Sequence, residues 1–254
     1  LEALRRVTQT LQDVDLVLIG AAALREFGFC RWRSTFDLDL TVALDLSDFP
    51  GLLANVPELR RDPRIEHRFY MNQVRLDIVP AGPGLRAQGH VQWRDRRMSL
   101  SGLHLGFDHA VSRTLAPGVV IRVAPPHVVT VLKMISYCDQ PSERERDLGD
   151  IAELIDSYLS DDDDRRFDDD VLEAGLPWDG VSAYTLGADV ARVLTAAERP
   201  CVEQFLTRAR GGDALGTFAR LLRTASFARE EREAHLMQQL DAFERGLGAG
   251  VGGL

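Results

Sequence analysis

The sequence predicts an α/β (α+β) protein, a core with a mixed β-sheet followed by an α-helical C-terminal domain. Three observations predict it. Residues 16–42, LVLIGAAALREFGFCRWRSTFDLDLTV, read as strand, glycine turn, short helix, loop and strand. Residues 64–80, RIEHRFYMNQVRLDIVP, alternate apolar and polar side chains around a Met71-Asn72 turn, the pattern of a hairpin. Beyond an acidic run at residues 160–170, apolar positions recur at spacings of three and four, as in Phe218, Leu221 and Leu222, and predict a helical bundle. The expected domains are residues 1–160 and 161–254.

The first stretch carries the candidate chemistry. Strand side chains two apart share a face, so Asp37 and Asp39 point one way and Leu38 and Leu40 point into a core. Asp is a poor strand former. Two like charges about 7 Å apart repel unless a cation sits between them, and a divalent metal is the simplest such cation. An ordinary half-exposed strand with solvated acids has the same D-x-D pattern. The neighbouring Gly20 and Ala21 favour the metal, because small residues opening a helix let a phosphate approach free backbone N–H groups. A phosphate cradle just before a metal-binding pair suits a nucleoside triphosphate.

The remaining elements follow in order. Residues 2–12 have helical spacing at Leu4, Val7 and Leu11. Asp45 to Val56 reads as a helix whose Pro50 is tolerated only in the first turn. On the returning hairpin strand, Asp77 points opposite to Leu76 and Ile78. Pro80 to Gly89 reads as a loop, and His90–Arg94, Leu103–Phe107 and Val119–Val123 as short strands. Arg94, Arg96 and Arg97 read as surface charge or as a contact to an acceptor backbone. After Pro125-Pro126 comes an apolar helix with Val128, Val131, Leu132 and Ile135 as its buried stripe and Lys133 off it. A second helix, RERDLGDIAELIDSYL, starts after Ser142 as N-cap, with Leu148, Ile151, Leu154 and Ile155 on its core face. Its Asp147 and Asp150 share a side, and Arg144 is placed to pair with Asp147. Residues 160–170, SDDDDRRFDDD, read as an exposed linker. The bundle helices are expected at Thr185–Leu194, Ala197–Arg210, Ala214–Ser226 and Arg229–Leu247.

Composition bounds the function. The 254 residues suffice for one large or two small domains. No run is long enough to span a membrane, and no secretory signal pattern is present. Three widely spaced cysteines, Cys30, Cys138 and Cys201, argue against a disulfide framework or zinc site and point to a reducing cytoplasm. Residues 1–160 carry 19 basic and 21 acidic side chains and residues 161–254 carry 11 and 18, so the net charge of −9 divides as −2 and −7. That balance excludes a generally basic nucleic-acid binder and leaves room only for a local basic groove.

The segment GAAALREFGF…RWRSTFDLDL resembles the nucleotidyltransferase signature G-[SGA]-x-A-L…[ST]-x-D-x-D, and within that superfamily the AbiEii/AbiGii toxin type. The later VTVLKMISYCDQPSERERDLGDI is similar to the h-h-x-x-K-h-x-A…R-x-x-R-D-h-x-D-h segment of that type. Ala21 departs from the usual Gly or Ser, and Ser136 stands where Ala is common. The resemblance implies a polymerase-beta-like nucleotidyltransferase core over about residues 15–160. It implies Mg²⁺ (or Mn²⁺) held by Asp37, Asp39 and Asp77, with Asp77 as metal ligand or proton acceptor. NTP phosphates would lie at Gly20, Ala21, Arg33, Thr35 and Lys133, with Asp147 and Asp150 beside them. An acceptor hydroxyl would attack the α-phosphate and expel pyrophosphate. The toxin likeness implies an RNA acceptor, such as a tRNA 3′ end, and a cognate antitoxin. Two other functions stay open: nucleotidyl transfer to a small molecule, as in aminoglycoside-modifying relatives, and a catalytically silent nucleotide-binding module.

Overall fold

The computed structural model describes residues 2–11, 13–31, 37–54, 56, 58–222 and 228–250. The chain forms two compact units, Leu1–Val129 and Thr130–Leu254.

The first unit runs α1 (Glu2–Thr10), β1 (Leu16–Ile19), α2 (Gly20–Glu26), β2 (Asp37–Val42), α3 (Phe49–Ala54), β3 (Arg60–Arg61), β4 (Arg68–Met71), β5 (Val74–Pro80), α4 (Pro83–Gln88), β6 (His90–Gln92), β7 (Arg97–Ser99), α5 (Leu103–His109), β8 (Val111–Ala116) and β9 (Val119–Val123). Seven strands make one mixed sheet in the order β3-β4-β5-β2-β1-β9-β8, and β6 and β7 pair separately. β2 lies between antiparallel β1 and parallel β5. Period-two alternation sorts its side chains: Leu40 and Val42 are buried with Leu76 and Ile78 of β5 and Phe69 and Met71 of β4, while Asp37 and Asp39 keep partial exposure on the other face. The β4–β5 turn uses Asn72 and Gln73, both at positive φ (48° and 69°), as a two-residue hairpin turn of the I′ kind requires. It is centred one residue later than the sequence pattern suggested.

Two expectations in this unit are corrected. Leu103–Phe107 is the helix α5, not a strand. In so short a run, L-x-L-x-F alternation satisfies a strand while the three apolar groups can equally be buried from a helix, and Gly106 faces Val17 and Ile19 of β1. The Pro80–Gly89 loop contains α4, opened by Pro83 at a helix start and closed by Gly89 at φ 75°.

α6 (Pro126–Asp139) crosses from one unit into the other. The second unit continues with α7 (Glu145–Ser157), a 3₁₀ turn (Asp164–Phe167), α8 (Asp169–Ala174), α9 (Gly180–Val193), α10 (Arg199–Ala209), α11 (Gly212–Leu221) and α12 (Arg229–Ala249). The second compact unit therefore includes α7 as well as the later helices. The apolar face of α7 explains this: Leu148, Ile151, Leu154 and Ile155 are buried, and α7 packs on α9 and α11. α7 begins at Glu145 with Arg144 at the N-cap position, so Ser142 does not cap it. α9 and α12 pack most closely where Gly187 and Gly246 face each other's backbone. A Cβ at Gly187 would lie 2.9 Å from the Phe243 carbonyl carbon, and one at Gly246 would lie 2.9 Å from the Ala188 nitrogen. The acidic run is not a free linker: Asp163 caps the 3₁₀ turn and Arg166 is buried. No helix among the described residues is long and apolar enough to cross a membrane.

Candidate functional site

The sheet register brings three of the predicted acids onto one face. Asp37 is the parallel partner of Arg75, and Asp39 is the partner of Asp77. Across the hairpin, Arg68 is the antiparallel partner of Asp77. The five side chains therefore form a cluster dictated by pairing. It contains three carboxylates and two guanidiniums.

The two arginines are held differently. Arg68 grips Asp77 with a fork, Nε to Oδ1 and Nη2 to Oδ2, each 2.8 Å. Asp77 holds the Arg68 guanidinium above its ordinary range, chiefly through this hydrogen bonding. Arg75 donates from Nη2 to Asp37 Oδ2, and its Nε stands 3.9 Å from Asp77 Oδ2. That Nε is buried without a hydrogen-bond partner, although 35% of the Arg75 side chain is exposed. On the flank, Tyr70 donates to Asp62 at 3.0 Å. The backbone N–H groups of Arg64 and Ile65 keep the Asp62 carboxyl below its usual value.

Gly20 completes the cluster. Its φ is +69°, a left-handed conformation. A Cβ there would lie 3.0 Å from Asp39 Cγ and closer still to Oδ2. Only a residue without a side chain lets β1 turn into α2 beside this carboxylate. Ala21 is buried with Ala22 and Ala23, so its methyl group packs inward. Arg33 and Thr35 lie outside the described residues.

These residues fit a divalent cation in chemistry and charge. The donors are hard oxygens, the preference of Mg²⁺ and Mn²⁺. Arg75 already stands as a cation beside Asp37 and Asp77, and the missing Cβ at Gly20 leaves Asp39 its place. As the side chains stand, no group of three His, Cys, Asp or Glu among the described residues is arranged to hold a metal. Arg75 engages Asp37, and Arg68 engages Asp77. Each carboxylate offers about four lone-pair sites, so an arginine fork does not exhaust Asp77.

The second unit holds the other predicted residues together. Lys133 Nζ on α6 reaches Asp147 Oδ1 at 2.6 Å and Asp150 Oδ2 at 2.8 Å on α7. All three side chains are almost fully buried. Burial works against the ammonium, but the two carboxylates outweigh it and raise its pKa. Asp147 therefore pairs with Lys133, and Arg144 meets it only through the backbone, where its carbonyl accepts from the Asp147 N–H at 2.9 Å.

Sequence reasoning missed Arg68 and Arg75. The signals were the two-residue spacing of Arg75 and Asp77 on one strand and a turn centred on Asn72-Gln73, which sets Arg68 opposite Asp77.

No family model matches the chain, and no curated protein matches it. Solved structures do. The antibiotic-resistance factor ANT(2'')-Ia is 13% identical, with 81% of this chain and 91% of that chain covered and a TM-score of 0.41. An antigenic nucleotidyltransferase-like protein from Paracoccidioides brasiliensis is 15% identical, with the same coverage and a TM-score of 0.43. JHP933 from Helicobacter pylori is 15% identical, with 99% of this chain and 93% of that chain covered and a TM-score of 0.40.

Proposed function

We propose that this chain is a divalent-cation-dependent nucleotidyltransferase, which moves a nucleoside monophosphate from an NTP to an acceptor hydroxyl. One observation carries the reading: Asp37 and Asp39 on β2 share a face with Asp77 on β5, beside a glycine turn that has no room for a side chain. Mg²⁺ or Mn²⁺, when bound, would supply positive charge to the triphosphate and the reacting phosphorus.

The chain's own residues do the rest. Asp37 and Asp39 hold the cation. Asp77, oriented by the Arg68 fork, completes the acidic face or accepts the acceptor's proton. The bare turn at Gly20–Ala21 lets a phosphate approach the backbone. In the second unit Lys133 stays charged between Asp147 and Asp150. The acceptor class follows the sequence resemblance: an RNA 3′ end, with the chain as a toxin and an antitoxin as its partner. The arginine pairing of Asp37 and Asp77 favours a second reading, a catalytically silent nucleotide-binding module.

A screen with each labelled NTP and Mg²⁺ tests this, offering total RNA in one arm and aminoglycosides in the other. Label on RNA supports the first reading, and label on an aminoglycoside moves the acceptor to a small molecule. Nucleotide binding without any labelled product identifies the silent module. Asp39→Asn should abolish transfer while thermal unfolding stays unchanged; a fully active variant removes Asp39 from the site.

A further inference from the structure

The acidity of the second unit is concentrated in one place. Residues 161–179 carry nine acidic and two basic side chains, whereas residues 180–254 carry nine of each. The whole −7 of residues 161–254 therefore lies in nineteen residues. The same stretch exposes apolar surface. Among the described residues, five large apolar side chains are exposed, and three of them lie here: Phe167 (60%), Leu172 (60%) and Trp178 (49%). The Phe167 and Trp178 rings are neighbours, with centroids 6.2 Å apart.

This surface is fixed. Arg166, just before Phe167 in sequence, is buried. Its guanidinium donates to the carbonyl oxygens of Ser160 (2.8 Å) and Leu159 (3.0 Å) and, more weakly, to the Trp178 carbonyl (3.4 Å). It also lies 4.4 Å from the Trp178 ring centroid, a cation–π contact. Arg165 is tied to Asp163 and Asp189. Both basic side chains of the stretch are thus engaged within the fold, Arg166 on the backbone at Leu159, Ser160 and Trp178 and Arg165 on Asp163 and Asp189. Folding leaves large apolar groups in water here and clamps them there, the mark of an interaction surface and not of a frayed loop.

We infer that the surface displaying the Phe167–Trp178 pair, with Leu172 exposed on the same stretch, docks a protein partner through a basic, apolar-bearing segment of that partner. The charge decides the occupant. Exposed Asp161, Asp162, Asp164 and Asp168–Asp170 repel nucleic acid and anionic lipid and attract lysine and arginine. The apolar side chains supply anchors that a purely ionic contact lacks.

The test uses the full chain and a fluorescein-labelled eighteen-residue peptide of Leu and Lys with Leu at helical spacing. The control peptide has Ser in place of every Leu. Fluorescence anisotropy should show saturable binding of the Leu/Lys peptide, with the Ser control at least about tenfold weaker. Phe167→Ser with Leu172→Ser should weaken the Leu/Lys peptide by about tenfold or more. Asp168→Asn with Asp169→Asn and Asp170→Asn should weaken it and flatten its salt dependence. Circular dichroism melts confirm that both variants are folded. The inference is overturned if no binding is seen, if the Ser control binds equally well, or if neither variant weakens binding. It is also overturned if sedimentation velocity shows the chain self-associating in a way that Phe167→Ser abolishes, because the occupant would then be a second copy.

Discussion

Gly20 and Asp39 touch at the point where β1 becomes α2, so the turn and the strand acid constrain each other. A methyl group at residue 20 meets two penalties, a left-handed backbone and overlap with the Asp39 carboxylate. Gly20→Ala should lose about 1–3 kcal/mol of stability by urea unfolding. Its affinity for Mn²⁺ should fall as Asp39 is pushed aside. An unchanged unfolding midpoint would contradict the close approach described above.

Arg75 is the weakly held arginine of the acidic face, with Nε unbonded and a third of its side chain in solvent. A cation arriving at Asp37 must displace it. Arg75→Gln should therefore bind Mn²⁺ about tenfold more tightly by titration calorimetry, since a competing charge at contact distance is removed. Arg68→Gln should show no such gain, because the loss of its fork frees Asp77 to turn away. Equal tightening in both variants would mean that general charge, and not displacement, sets the affinity.

Lys133 is buried between two carboxylates. Lys133→Met takes the ammonium from both and should cost about 3–5 kcal/mol. The fall in urea midpoint from parent to variant measures this loss, and equal midpoints would contradict the buried pairing.

His235 on α12 lies 3.4 Å from Asp156 on α7. The hydrogen bond to Asp156 raises the imidazole above its ordinary 6.5, against the opposing effect of burial. A raised folded value means that the proton favours the folded state. The stabilisation is complete below about pH 6.5 and is lost as pH rises through the higher folded value. His235→Gln should flatten the unfolding midpoint between about pH 5.5 and pH 8.5. A parallel offset at all pH values would assign the residue to packing alone.

The helices and the acidic pair were legible because their signals are local. Period-two alternation put Asp37 and Asp39 on one face, and three-four spacing found α10 and α12 within two residues of their ends. α9 starts at Gly180 and not at Thr185, and the expected end of α11, Ser226, lies outside the described residues. What failed was non-local or too short to show a period. α5 spans only seven residues, so its apolar groups fit either period. Arg68 depends on a hairpin register that a single misplaced turn residue shifts by two, and Arg75 meets Asp37 through the β2–β5 pairing. The reach of Lys133 to Asp147 and Asp150 depends on how two helices pack, which no one-helix pattern contains.

The glycine contact between α9 and α12 carries a consequence for biosynthesis. Residues 180–193 wait for α12, whose Phe243 and Leu247 backbone lies against Gly187. A ribosome releases the β-sheet unit early enough for its near-complete strand pairing to proceed. The helices from α7 onward stay without their central lock until α12 has emerged, and during that interval their apolar faces are the chain's main exposure to misassembly.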